Sequence, residues 1–500
     1  MSKGIVHKRS GWIALILFAV AATALLRHSL LPDYALLPLD LVNNNEPWAL
    51  SEPIVPQNAL ISDPFYSFYP RRYLLTESIQ QGELPLWNPF VMAGTPNFAN
   101  PNFQLFYWPN LITAVFLPAV HALSWLAWGH LILSGMLMYL FLRRQQLIVP
   151  ACWLGGMVWL LNGYTLVWLE NPHRLSTAAW IPGIFWAYET AVQTKRYRWA
   201  AIGGLILGTA ILGGQVQFIF ATGLVFGLYG LIGALSRWQK EDWASAKQCV
   251  LMMLPIGLIG LGIGSLVLLP STEFAQISQR SLADATTILD SRWPTSQLIT
   301  LLAPDFFGNP QTIGYWGTSN YAEMTAYFGA GALALAISGV LVGGYGRFYI
   351  QAVAIASFSL LLVIGSPLIN TLFIFPGAEF LSLRRLLFLI PFAGALLVAI
   401  GLDGWWLKPS SNRQLAALGV VGTSLALLVI RAIPTLENVP QANSSWQNLG
   451  RGLLLATVML GLMVYLPKRP FLIAGLALLI VMLDLLQWGW RFNPITSTEL

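Results

Sequence analysis

Apolar runs of roughly 17–25 residues recur along the whole chain, each long enough to cross a hydrocarbon core about 30 Å thick. They fall near 11–31, 121–142, 148–168, 178–194, 199–214, 216–236, 248–270, 322–345, 349–366, 385–402, 414–432, 452–467 and 471–490. In lipid every backbone polar group must find its partner within the chain, so spanning segments are helices or closed barrels. Uninterrupted apolar runs of this length are read as helices. The predicted fold class is an all-α polytopic membrane protein with about 13 transmembrane helices. Composition agrees. The chain is 56% hydrophobic and 10% charged, against about 25% charged in soluble domains, which leaves too few charges to coat a water-facing surface.

Two spans need comment. The run near 199–214 is short and ends in LGGQVQF (212–218), which reads as a tight turn between two helices. The first run follows Lys3, Lys8 and Arg9, as the core of a signal peptide would. Its length, and the spans that follow, favour an uncleaved first helix.

Charge sets the orientation. The net charge of +6 does not point to nucleic acid, because excess Lys and Arg in a membrane protein records the positive-inside rule. With the N-terminus cytoplasmic, Lys3, Lys8, Lys195, Lys240, Lys247, Lys408 and Lys468 all fall inside. Most acidic residues fall outside, Glu52, Asp284, Glu379 and Glu437 among them. Glu189, Glu241, Asp242 and Asp403 are the exceptions. The odd number of spans leaves the C-terminus extracytoplasmic. One transmembrane domain (1–490) then carries a long first outer loop (32–120), a second large outer loop (271–321) and an outer tail (491–500). Cytoplasmic connections are short, so the work is expected on the outer face of the membrane.

Several function classes lose support. There is no GxxxxGK[ST] phosphate loop and no visible repeat of the kind many transporters show. There is no HExxH or GxSxG. Cys152 and Cys249 are read as unpaired thiols. The sequence implies no cofactor, and a divalent ion shared by outer carboxylates is left open.

The outer loops hold the candidate chemistry. Asp63 lies in ISDPFYSFYPRRY beside Arg71 and Arg72, with Asp40 in LLPLDLV upstream. A carboxylate in an aromatic, partly desolvated pocket serves as a general base, and Arg pairs with phosphate through its planar fork. The bland alternative for Asp63 is a turn before Pro64. Glu170, His173 and Arg174 stand together in LENPHRLSTAAW, where His and Arg suit a phosphate oxygen or simply line the interface. Glu323 sits where the chain re-enters the membrane. Arg384 and Arg385 stand at an outer helix end, on the side the positive-inside rule disfavours, which suggests anion binding. Asp484 lies inside the last span, where a structural polar contact with Gln487 or a neighbouring helix is the favoured reading.

The run Asp63-Pro-Phe-Tyr, then GELPLWNP (82–89), GTP (94–96), NP (100–101) and FYWPN (106–110), resembles the bacterial YfhO-like membrane proteins. So do GGQVQ (213–217), YWG (315–317), NYAE (320–323) and Arg384-Arg385 before GLD (401–403). That family is similar to the GT-C superfamily of polytopic glycosyltransferases. The resemblance implies transfer of a sugar from a polyprenyl-phosphate-linked donor to an envelope glycan, lipid or protein acceptor, at the outer face and among membrane lipids. It implies an acidic base in the first outer loop, Asp63 before Asp40. It also implies substrate-binding roles for Arg71, Arg72, Trp87, Asn88, Glu170, His173, Arg174, Gln215, Glu323, Arg384 and Arg385. Many such proteins continue into an outer soluble domain at the point where this chain stops. The alternatives are a transporter or flippase of lipid-linked glycans, which predicts polar residues through the bilayer, or a non-catalytic envelope assembly protein.

Overall fold

The computed structural model describes residues 2–49, 55–277, 289–312, 314–344, 346–367, 369, 381–407, 411–436 and 439–498. Glu52, Asp284, Glu379, Lys408 and Glu437, which the sequence assigns to faces, lie outside the described residues.

The helices run, in chain order, α1 Ser2–Leu26, α2 Tyr69–Gln80, α3 Trp108–Phe116, α4 Ala119–Arg144, α5 Val149–Leu161, α6 Gly163–Val167, α7 Pro172–Ala178, α8 Ile181–Thr194 and α9 Tyr197–Leu212. They continue as α10 Val216–Lys240, α11 Trp243–Gln276, α12 Tyr321–Met324, α13 Ala330–Val342, α14 Arg347–Val363, α15 Leu389–Trp406, α16 Ser411–Ala432, α17 Ala442–Tyr465 and α18 Pro470–Gly489. Every expected span contains a helix. Among the described residues, eight segments are long and apolar enough to cross a membrane: those of α1, α4, α10, α11, α15, α16, α17 and α18. The other five, α5, α8, α9, α13 and α14, are 13–17 residues long. The chain is a multi-pass all-α membrane protein.

Proline explains many helix starts. It stands in the first turn of α2, α3, α5, α7, α8 and α18. There its missing N–H would have had no partner and its fixed φ suits the helix.

Three spans depart from their expected limits. The run 148–168 breaks at Asn162, whose Oδ1 accepts the Thr165 N–H at 3.0 Å and so opens α6. The run 322–345 becomes helical over most of its length only from Ala330. Gly329 takes φ +102°, and the Asp484 carboxylate of α18 accepts the Ala330 N–H at 3.2 Å, pairing a donor that α13 itself leaves open. The run 248–270 grows to the 34 residues of α11, about 50 Å at ~1.5 Å per residue. That is longer than a hydrocarbon core of about 30 Å, and near its far end Ser271 Oγ donates to Ala99 O of the first loop at 3.0 Å.

α15 is the hub. In the segment Leu383–Trp406, 89% of the apolar window is buried, against 22% for Ser411–Leu436 and 28% for Trp243–Gln276. It packs on α13, α5 and α14. Glycines let two backbones meet there. A Cβ on Gly404 would lie 2.6 Å from Val342 O, and one on Gly339 would lie 2.7 Å from Leu397 O. Small residues at helix contacts are how membrane helices approach closely. α1 belongs to the bundle as well, with Phe18 fully buried against Gly135 of α4 and Gly156 of α5.

The bundle has two chemically different ends. One carries Arg143, Arg144, Lys195 and Lys240. Here Asp403, at the far end of α15, accepts the Ile148 N–H at 2.8 Å, and Glu189 pairs with Arg347. The other end, the loop end, carries residues 32–120. There β1 (Tyr34–Ala35) pairs antiparallel with β4 (Thr496–Ser497), so the chain leaves α1 and α18 at the same end. The first loop is itself structured. Leu75, Phe103, Leu105 and Ala114 form a small core beneath α2 and α3, each large side chain contributing about 1.5–3 kcal/mol on burial. A hairpin of β2 (Trp87–Asn88) and β3 (Thr95–Pro96) stands above it.

Candidate functional site

The GGQVQ turn positions the loop end. Gly214 takes φ +96°, and a Cβ there would strike Pro101 O, so glycine is required. Gln104 Nε2 donates to Gly213 O at 2.6 Å. The Gln215 N–H donates to Thr177 Oγ1 of α7 at 3.1 Å. Gln217 Oε1 accepts the Ser382 N–H at 3.2 Å. One turn therefore fixes the first loop, α7 and the segment leading to Arg384 and Arg385.

On that frame four basic side chains gather. The Arg174 guanidinium carbon lies 3.2 Å from the Trp168 ring centroid, a cation–π contact of about 0.5–2 kcal/mol. Its Nη1 donates to Tyr164 Oη at 3.0 Å, and Tyr164 Oη donates to Arg385 O at 3.1 Å. His173 stacks on Phe68, ring centroids 5.0 Å apart, and Arg71 stands over the same ring at 6.0 Å. Burial, then the charges of Arg174, Arg385 and Arg71, hold His173 well below the usual imidazole pKa. It is a neutral ring inside a cationic group. His173 Nδ1, Arg174 Nε and Arg385 Nε are buried without a partner. Arg384 bonds to Ser319 Oγ at 2.5 Å and Asp290 O at 2.8 Å, with Glu323 at 3.8 Å. Glu323 thus sits at the edge as the counter-charge of Arg384.

The carboxylates divide. Asp40 is buried, in a short 3-10 helix at Leu39–Asn44. Its Oδ2 accepts the Gln57 N–H at 2.7 Å, and its Oδ1 has no partner. Glu170 is 1% exposed with neither carboxyl oxygen partnered. Burial, then the Asp40 charge, raises its pKa well above the usual carboxyl value, which favours the neutral carboxyl. Asp63 is exposed at the start of a π-helical turn, Pro64–Phe68, and makes no side-chain cap there. Its charge acts on Arg71. The structure brings Asp40 and Glu170 together inside and leaves Asp63 at the rim.

Other expected residues lie elsewhere. Arg72 is 5% exposed, with Nε and Nη1 unpartnered, and burial lowers its pKa to about 10. It faces α4 near His130 rather than the His173 group. Trp87 is in the hairpin, its indole against Gly94. Asn88 Oδ1 accepts the Phe90 N–H at 3.0 Å. Both shape the loop. Gln215 Nε2 is buried and unpartnered. Tyr164, Trp168 and Phe68 hold the basic group and were not singled out in the sequence. The aromatic spacing ahead of Arg174 in GYTLVWLENPHR was the available signal. Among the described residues no three His, Cys, Asp or Glu side chains form a group able to hold a metal ion.

The fold and site define a multi-pass α-helical membrane protein with a partly buried basic group and two buried carboxyl side chains, Asp40 and Glu170, at its loop end. No protein-family model matches the sequence, and no curated protein does. Among solved structures the chain is similar to ArnT from Cupriavidus metallidurans bound to undecaprenyl phosphate, at a TM-score of 0.46 and 14% identity, over 97% of this chain and 76% of that one. A likeness that distant leaves function to the chain's own residues.

Proposed function

We propose that the chain is a membrane glycosyltransferase, moving a sugar from a polyprenyl-phosphate carrier to an acceptor at the outer face of a bacterial cytoplasmic membrane. The observation that carries this reading is the basic group of Arg71, Arg174, Arg385 and His173, in which His173 Nδ1, Arg174 Nε and Arg385 Nε are buried without a partner. A buried guanidinium N–H without an acceptor is costly, and a phosphate would supply acceptors. Around Arg174 the aromatic walls of Tyr164, Trp168, Phe218 and Phe388 leave only about 10 Å³. A ligand phosphate would therefore approach from Arg71 and Arg385, which are part-exposed. The sequence resemblance to YfhO-like and GT-C proteins points the same way.

In this reading an acceptor hydroxyl gives its proton to a carboxylate as its oxygen attacks the anomeric carbon. The bond from that carbon to the carrier phosphate oxygen breaks, and the electron pair leaves on the phosphate, stabilised by the arginines. We place Asp40 before Asp63 as the base. Asp40 is buried, oriented by Gln57 and has one oxygen open, whereas Asp63 is exposed. Protonated Glu170 would donate a hydrogen bond to the sugar or acceptor beside it. The buried charges of the spans, Glu189 and Asp484, are each paired with an arginine, which suits structure better than a permeation path.

The test is turnover of radiolabelled polyprenyl-phosphate sugars by the protein in nanodiscs, with envelope extract as acceptor. Asp40→Asn should lose about 100-fold or more, and Asp63→Asn much less. Full transfer by a folded Asp40→Asn variant would overturn the assignment.

A further inference from the structure

A second site lies on the opposite side of α2. At about 100° per residue, Tyr69, Tyr73, Thr76, Glu77 and Gln80 fall on one face, and Arg71 stands about 180° away from its middle. That face and residues 115–120, from the end of α3 to the start of α4, line a groove of about 350 Å³. Its chemistry is the reverse of the basic group's. It holds one carboxylate and no cation. Thr76 is 2% exposed, and its hydroxyl is buried without a partner. Gln80 Nε2 donates to Ala114 O at 3.3 Å, which leaves its Oε1 for a ligand. Glu77 has no ion pair among the described residues. Tyr73 is 53% exposed and offers a ring face.

We infer that this groove binds a neutral, hydroxyl-rich glycan. Hydroxyl groups donate to Glu77 and Gln80 Oε1 and can engage the Thr76 hydroxyl both ways, while a tyrosine face covers the apolar side of a sugar ring. The Glu77 charge repels phosphate, so the groove discriminates against the carrier headgroup. This deepens the proposed transfer and rests on it in one respect: it names the acceptor's chemistry as a neutral glycan. α2 would then separate two sites, with the carrier phosphate on the Arg71 side and the acceptor on the Tyr73 side.

The experiment uses the full chain in nanodiscs, with maltotriose and chitotriose as probes and glucose 6-phosphate as the anionic comparison. Binding is read by saturation-transfer NMR titration. At least one neutral trisaccharide should bind saturably and more tightly than the phosphorylated sugar. Tyr73→Ala and Glu77→Gln, both at part-exposed positions, should each weaken it about tenfold, while Arg71→Gln leaves it unchanged. No saturable neutral-sugar binding, or equal binding by all three variants and wild type, would overturn the inference. Polyprenyl phosphate binding is measured on the same samples. Its absence in wild type would defeat the transfer reading, whereas an intact carrier site with an indifferent groove would defeat only this inference.

Discussion

Glu170→Gln tests the buried carboxyl pair through its pH dependence. The side chain lies between α6 and α7, outside the spanning helices, and its raised pKa follows from burial and from Asp40. A raised folded-state pKa means that the folded protein binds this proton more tightly than the unfolded chain. Its contribution is therefore full below the usual carboxyl value of 4.5 and is lost as pH rises toward the folded-state value. Each pH unit within that window removes up to about 1.4 kcal/mol. That direction is consistent with a carboxylate whose two oxygens have no partner, for which ionisation in place costs several kcal/mol. Glutamine keeps the shape and cannot ionise. Denaturation in nanodiscs at a series of pH values above 4.5 should show wild type losing stability relative to Glu170→Gln as pH rises. Parallel stability curves for the two proteins would refute the reasoning, since they would mean that Glu170 does not change its proton affinity on folding.

Three further outcomes follow from the packing. Gly404→Leu drives a side chain into Val342 O across the α13–α15 seam, and should lower stability by about 3 kcal/mol in thermal unfolding, near the upper end for overpacking. Glu189→Ala strips the partner from Arg347 and from the Tyr229 hydroxyl, which donates at 2.8 Å. It should cost about 3 kcal/mol, with Glu189→Gln recovering part of the loss. Gly214→Ala forces an L-residue into φ +96° against Pro101. It should raise protease sensitivity in the first loop and α7 while leaving the α13–α15 core protected.

The spanning pattern was legible because bilayer thickness forces it on the sequence, and each of the thirteen runs holds a helix. The helix breaks were less so. Asn162 and Gly329 interrupt spans through a side-chain cap and a carboxylate reached from α18, and hydropathy does not register such partners. Asp484 was read as making a structural contact with Gln487 or another helix. It is bonded to Tyr327 at 2.6 Å and ion-paired with Arg451 at 3.0 Å, so the neighbouring helix is the partner. Glu189 and Asp403, exceptions in the charge partition, hold Arg347 and the turn before α5. At the loop end the sequence located His173, Arg174, Arg384 and Arg385. It could not show that Phe68 would stack on His173, since that contact joins segments about 100 residues apart. The resemblance ranked Asp63 before Asp40; the reverse order proposed here rests on burial, which the sequence alone does not register.

The most direct test of the central claim compares polyprenyl phosphate with the same polyprenol lacking phosphate, binding to wild type, Arg71→Gln and Arg385→Gln in nanodiscs. Charge-assisted hydrogen bonds of about 1.5–3 kcal/mol each predict that wild type prefers the phosphate by about 100-fold, and that each variant loses about tenfold or more of that preference while remaining folded. Equal affinity of wild type for the phosphate and the alcohol, or a preference untouched by either substitution, would contradict the account.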